Sequence, residues 1–314
     1  MRFCNASVKK IKSYYYKFLF WRGEWQRTTP KKCYVNLRKQ GVIFSDITPE
    51  NVSDIYCKLK PWKGSATPES REEIRHILNA SMQTVEVLPD DFVGVIVETR
   101  KHKDLEFVVN NYIENTATKV QIFHGTENLN FILSTTIKEL IDNGLVFLTL
   151  ICCSELSESY YNALFLNVDF WKLIKGRNKI LVFQTDSLVC NNSVHMIKDF
   201  ERFDYIGAQW HDRLRPNGIV LDGGVGGFSL RDYQLSLDAL NRFPEQSWEG
   251  GEDNYFSFHI ELIGGKVGSK KDSAIFCTQN NFINRSFGAH QLSNLNKTDK
   301  IKFLQYSPES KFLM

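Results

Sequence analysis

Between Leu88 and Phe183 the chain repeats one unit: a short apolar run of strand type, followed by a segment with apolar residues at helical spacing. The runs are FVGVIVE (92–98), VQIF (120–123), LVFLTLIC (145–152) and KILVF (179–183). Runs with so little polar alternation suit strands covered on both faces. Between them, residues 104–115 carry Leu105, Val108, Val109, Tyr112 and Ile113 on one helical face. Residues 136–143 predict a short helix stopped by Gly144, and residues 157–174 one long apolar helix. Alternation of this kind requires right-handed crossovers and a parallel sheet, so the expected class is α/β, Rossmann-like, with flanking helices. Ligands of such sheets bind outside the carboxyl ends of the strands. Those ends are Thr99-Arg100, His124-Gly125 and Gln184-Thr185-Asp186.

A chain of 314 residues, 42% hydrophobic and 24% charged, makes one large or two small globular domains rather than a collagen-like or disordered protein. No apolar run of about 18 residues occurs, so no transmembrane helix is expected. Seven cysteines, odd in number and without a CxxC pair, argue against a disulfide framework and a structural zinc site. Reduced thiols of a cytoplasmic protein fit better. Charge is uneven: residues 1–40 hold eleven Lys or Arg and one acid, which leaves the rest of the chain net negative. Within that end, residues 9–25 read KKIKSYYYKFLFWRGEW. There is no signal-peptide apolar region or cleavage site. Two readings stand: peripheral attachment of residues 1–25 to an anionic inner leaflet, or a helix packed on the body with its basic face in water. Nucleic acid is not expected, because no recognisable binding module accompanies the basic residues. Prolines punctuate residues 26–85, where only 71–82 looks helical. Residues 1–85 therefore read as a basic helical extension and linker, and 86–314 as the main domain.

After Asp186 the alternation gives way to loop chemistry. QTDS places Asp186 directly after an apolar strand, where a carboxylate can hold a divalent cation against a diphosphate or simply form a turn. DGGVGGFSLR has glycine at 223, 224, 226 and 227. It serves either as a tight turn or as a close approach to sugar hydroxyls or phosphates, with Arg231 at its end. In GGEDNYFS, Glu252 and Asp253 precede an aromatic run, which predicts a buried helix with both acids at its N-terminus. One of them is a candidate general base and the other a cap or acceptor contact. His290 in FGAH is a lone histidine in a late loop, which taken alone is a structural residue.

In this order, QTDS, FDYIGAQW, GGVGGFSLR, GGEDNYFS and FGAH resemble a bacterial glycosyltransferase-like family known mainly as a domain of unknown function, over residues 90–290. The set is also distantly similar to the fringe-like β-1,3-glycosyltransferases of the GT-A fold. That resemblance implies a GT-A sheet and a UDP-sugar donor, with Asp186 and His290 on Mn²⁺ or Mg²⁺. It puts Gly223, Gly224, Gly226, Gly227 and Arg231 at the donor, and Thr99, Arg100, Gln184 and Thr185 against the nucleotide. Asp253 becomes the base, with Glu252 beside it, and Trp210 and Glu252 meet the acceptor. One departure weakens the metal site: Gln184 stands where the usual motif has its first acid. The implied activity is a hexosyltransferase that transfers to a glycan or lipid-linked saccharide in cell-surface polysaccharide synthesis, inverting by a single displacement. Retention is the alternative stereochemistry. Competing functions are nucleotidyl transfer and a non-catalytic carbohydrate-binding module of the same fold. The first usually wants a glycine-rich basic loop after the first strand, and residues 98–104 (ETRKHKD) have the charge without the glycine.

Overall fold

The computed structural model describes residues 46–59, 66–210, 222–243, 245–248, 250–283 and 285–314. The segment expected to attach to a membrane surface, residues 1–25, lies outside them. Two helices come first, α1 (Val52–Leu59) and α2 (Pro68–Ser81). Helix α2 begins three residues before the periodicity alone predicts. Thr67 and Ser70 form a reciprocal capping box, and Pro68 occupies a position whose N–H would have no partner.

The central sheet has six strands in the order β3-β2-β1-β4-β7-β6. Strands β1 (Phe92–Glu98), β2 (Lys119–His124), β3 (Val146–Leu150) and β4 (Lys179–Phe183) run parallel, as their apolar runs predict. Beyond β4, β7 (Val225–Asp232) runs antiparallel, and β6 (Tyr205–Ala208) pairs antiparallel with β7, restoring the common direction. The crossovers are α3 (Leu105–Thr116), the short α4 (Leu129–Leu133) and α5 (Ile137–Asp142), then α6 (Glu158–Phe165) and α7 (Val168–Leu173). The single helix expected over 157–174 is thus two. Asn167 accepts from the Asp169 N–H and starts a new helix, a local cap that competes with continuation.

Strand alternation explains why β1 is apolar on both faces. Val93, Val95 and Val97 join one core with residues of α1, α2, α6 and α7, while Phe92 and Ile96 join a second core with α3. Helices α1 and α2 are integral to the first core, through Val52, Ile55, Tyr56, Ile74, Ile77 and Leu78. The fold is mixed α/β and Rossmann-like, a mostly parallel sheet between helical layers.

The C-terminal third is more regular than its loop-like sequence predicts. The glycine-rich stretch is a turn followed by strand β7, and FDYIGAQW contains β6. Helix α8 (Tyr233–Arg242) follows β7. The buried helix predicted after Glu252 and Asp253 is α9 (Glu252–Leu262), followed by α10 (Lys270–Phe276) and later α11 (Lys297–Tyr306). FGAH is a strand rather than a loop. A second sheet, in the order β5-β9-β8, joins β5 (Ser187–Val189), β9 (Gly288–His290) and β8 (Cys277–Thr278), and pairs Ser187 with His290. Cys152, Cys153, Cys190 and Cys277 are all free thiols.

Candidate functional site

At the carboxyl end of β1 the chain places a buried carboxylate. Glu98 accepts from the Arg100 backbone N–H, from its Nε and from its Nη2, each at 2.9 Å. This hydrogen bonding raises the Arg100 pKa and fixes a half-exposed guanidinium at the rim. Asn128, completely buried, secures the loop from beneath. Its Nδ2 donates to Glu98 O and Arg100 O (2.8 and 3.0 Å), and its Oδ1 accepts from Gly125 N–H at 2.9 Å. A cleft of ≈ 350 Å³ opens here, lined by Glu98, Thr99 and Arg100 on one side and Gln184, Thr185 and Asp186 on the other. Tyr161 of α6 also lines it. The Tyr161 hydroxyl is buried beside Gln184, and burial pushes its pKa up, so it stays a protonated donor.

Behind the cleft, Asp186 and Gln184 meet His290. His290 Nε2 lies 3.3 Å from Asp186 Oδ1 and 3.2 Å from Gln184 Oε1. His290 Nδ1 lies 3.1 Å from Gln279 Oε1, and Gln279 Nε2 donates to Gln291, which leaves that oxygen to accept from Nδ1–H. The lone pair of neutral Nε2 then faces two acceptor oxygens. A proton on Nε2 or a cation between the three atoms reconciles them. Burial pushes the Asp186 pKa up, but the hydrogen bond and charge of His290 outweigh it and the net shift is downward. A Cβ at Gly227 of β7 would overlap His290 Nε2, so only glycine permits this approach. Among the described residues no three His, Cys, Asp or Glu gather in a metal-binding group; the donors here are one Asp, one His and an amide.

Beside this cluster lies the pair Arg231–Glu252. Arg231 is fully buried and donates from Nη1 and Nη2 to the Glu252 carboxylate (2.5 and 3.0 Å), from Nε to Ser229 Oγ (2.9 Å) and from Nη2 to Gly226 O (3.3 Å). Burial opposes the guanidinium charge, yet Glu252 holds the Arg231 pKa above its usual value. A Cβ at Gly226 would overlap Glu252 Oε1. Asp253, in the first turn of α9, is half-buried, and its Oδ1 accepts from the Asn254 backbone N–H at 2.6 Å and from the Asn254 amide.

The structure therefore brings Thr99, Arg100, Gln184, Thr185 and Asp186 together around one cleft, with His290 and Gly227 against its rear. Arg231 and Glu252, expected at the donor and the acceptor, are instead bound to each other, because a buried guanidinium needs a carboxylate and other acceptors for its N–H groups. Gly223 and Gly224 form a left-handed turn (φ +99° and +104°) that packs on Tyr205, Ser257 and the β6 backbone rather than on the cleft. Trp210 donates from Nε1 to Asp222 O at 3.3 Å, beside that turn. Sequence reasoning missed Glu98, Asn128, Tyr161 and Gln279. Only Glu98 carried a signal, as an ionisable residue closing an apolar strand.

A family described as "Protein of unknown function (DUF5672)" matches residues 154–290, from just before α6 to His290. That span holds Gln184, Asp186, the glycine stretch, Glu252, Asp253 and His290, and leaves out Thr99 and Arg100. No curated protein matches the sequence. One similar solved structure is that of a protein assigned as a glucose-1-phosphate thymidylyltransferase from Bacillus anthracis, in complex with sucrose. It is 14% identical, with a TM-score of 0.32, and the alignment covers 56% of this chain and 85% of that one.

Proposed function

We propose that this protein transfers a sugar from a nucleoside-diphosphate donor, with UDP as the expected nucleotide, to a hydroxyl of a glycan or lipid-linked saccharide. The observation that carries the reading is one juxtaposition. A cleft at the carboxyl ends of β1 and β4 holds an anchored arginine, a hydroxyl donor and the Asp186–His290–Gln184 cluster, and the acidic start of α9 adjoins that cluster through β7. This is where an open α/β sheet binds nucleotides, and these are the groups that departure of a diphosphate requires.

The donor set fits a divalent cation. Asp186 Oδ1 and His290 Nε2, with Gln184 Oε1, would hold it, and phosphate oxygens and water would complete its shell. Such an ion supplies positive charge opposite the leaving diphosphate. Arg100, fixed by Glu98, binds the diphosphate without having to be reoriented. Tyr161 donates its O–H into the same cleft. Asp253 accepts the proton of the acceptor hydroxyl while that oxygen attacks the anomeric carbon. The bond to the diphosphate breaks on the opposite face, its electron pair leaves on the phosphate oxygen, and the configuration inverts. Arg231 keeps Glu252 in place and so defines the start of α9.

The test is a panel of UDP-, GDP- and dTDP-sugars, read by thermal shift and by release of the nucleoside diphosphate, with Mn²⁺, Mg²⁺ or EDTA. A bound donor at a hundred times its Kd stabilises the fold by about 2.7 kcal/mol. UDP release that needs the metal supports the reading. Formation of a nucleotide sugar from a nucleoside triphosphate and a sugar 1-phosphate would assign the cleft to nucleotidyl transfer instead. Binding of no nucleotide at all would overturn both.

A further inference from the structure

Among the described residues, 47–59 and 66–81 add no strand to either sheet, yet their polar contacts converge on the stretch that leads into Asp253. Arg71 of α2 is 7% exposed. Its Nη1 donates to Gln246 O at 2.8 Å, its Nη2 to Trp248 O at 2.6 Å, and its Nε lies 2.9 Å from Glu245 Oε2. From α1, Ser53 Oγ meets Ser247 Oγ at 3.1 Å, and the Tyr56 ring stands edge-on to Trp248 with centroids 5.0 Å apart. Tyr56 Oη lies 2.7 Å from His259 Nε2 on α9. His259 Nδ1 faces Tyr255 O at 2.8 Å, so that nitrogen carries the proton and Nε2 accepts from the tyrosine. Trp248 passes the restraint along the chain, because its Nε1 donates to Gly251 O at 3.0 Å, one residue before the acids. On the other flank α2 packs against α6, whose Asn162 Oδ1 accepts from the Glu252 backbone N–H at 2.8 Å.

Each contact alone is ordinary. Together they hold both sides of the α9 start, and the centre of the set is one planar guanidinium that donates to two carbonyls and is ion-paired with a carboxylate. A lysine has no fork that can match two fixed carbonyls while facing the carboxylate. We propose that residues 47–59 and 66–81 are a brace that sets the position of Asp253, with Arg71 as the positioning residue. Its catalytic consequence rests on the reading of Asp253 as the base; its geometric content does not.

The experiment compares the full-length protein with Arg71→Lys and Arg71→Ala. Hydrogen exchange should rise in residues 245–256 while amides of β1 and β2 keep their protection, the signature of local rather than global opening. UDP affinity should stay unchanged, because the cleft rim is built from other elements. Turnover of the donor sugar should lose on the order of 10²-fold in kcat at constant donor KM, the size expected for an ångström of misplacement. Millimolar guanidinium should restore part of the Arg71→Ala loss, which a general stability defect would not allow. Exchange that stays unchanged in residues 245–256, or that rises equally throughout the chain, overturns the brace; an unchanged kcat in the variants, beside a wild type that turns over, overturns its catalytic consequence. If Arg71→Ala does not fold, Arg71→Lys gives the same exchange and kcat readouts. If the wild type turns over no nucleotide sugar, the proposed function fails, and the exchange pattern still decides the brace.

Discussion

Glu252 and Asp253 are adjacent acids in the first turn of one helix, and packing gives them different surroundings. Glu252 is buried and bidentate to Arg231, whereas Asp253 is half-buried and spends one oxygen on Asn254. Glu252→Gln should therefore act on stability. It leaves the Arg231 charge buried and uncompensated, at a cost of about 3–5 kcal/mol in urea denaturation. Asp253→Asn should leave stability within about 0.5 kcal/mol, while kcat falls by about 10²–10⁴-fold with UDP affinity intact. A stable, inactive Glu252→Gln beside an active Asp253→Asn would reverse the assignment. The pair of acids was readable from GGEDNYFS, but their different surroundings were not. The contrast depends on Arg231, twenty-one residues away on strand β7.

At the scale of elements, the small sheet delivers His290 to the end of β4 through the pairing of β5 with β9. This contact makes a signed prediction about acid stability. Burial raises the Asp186 pKa, the His290 hydrogen bond and charge lead the opposing effects, and the folded value ends below the ordinary one. The associated stability is then present above the unfolded carboxylate value, about pH 4, and is lost as the pH falls through the lower folded value. Melting curves taken down through that range should show a shallower acid loss in Asp186→Asn than in the wild type. Equal slopes would mean the contact contributes nothing to folding. The parallel strands were legible as elements because burial on both faces requires continuous apolar runs. Strands β6, β7 and β9 were read as loops; in β7 the glycines that admit Glu252 and His290 look in sequence like glycines of a turn.

For the whole molecule, none of the helices among the described residues is long and apolar enough to cross a membrane, and the basic aromatic end lies outside those residues. The peripheral reading of that end predicts that the protein sediments with anionic liposomes, that deletion of residues 1–25 releases it, and that UDP binding survives the deletion. Sedimentation insensitive to added salt would contradict the electrostatic part, since exposed charges are screened beyond about 8–10 Å at physiological ionic strength. Sequence alone determined the α/β class, the strand ends that line the cleft and the helix behind the acidic pair, because hydrophobic period and capping act over a few neighbouring residues. Tertiary structure alone decided that Glu252 belongs to Arg231, that Gln184 and His290 meet across 106 residues, and that helices α1 and α2 belong to the core rather than to a linker. Those outcomes follow from which buried charges and amides find partners, and the partners come from distant parts of the chain.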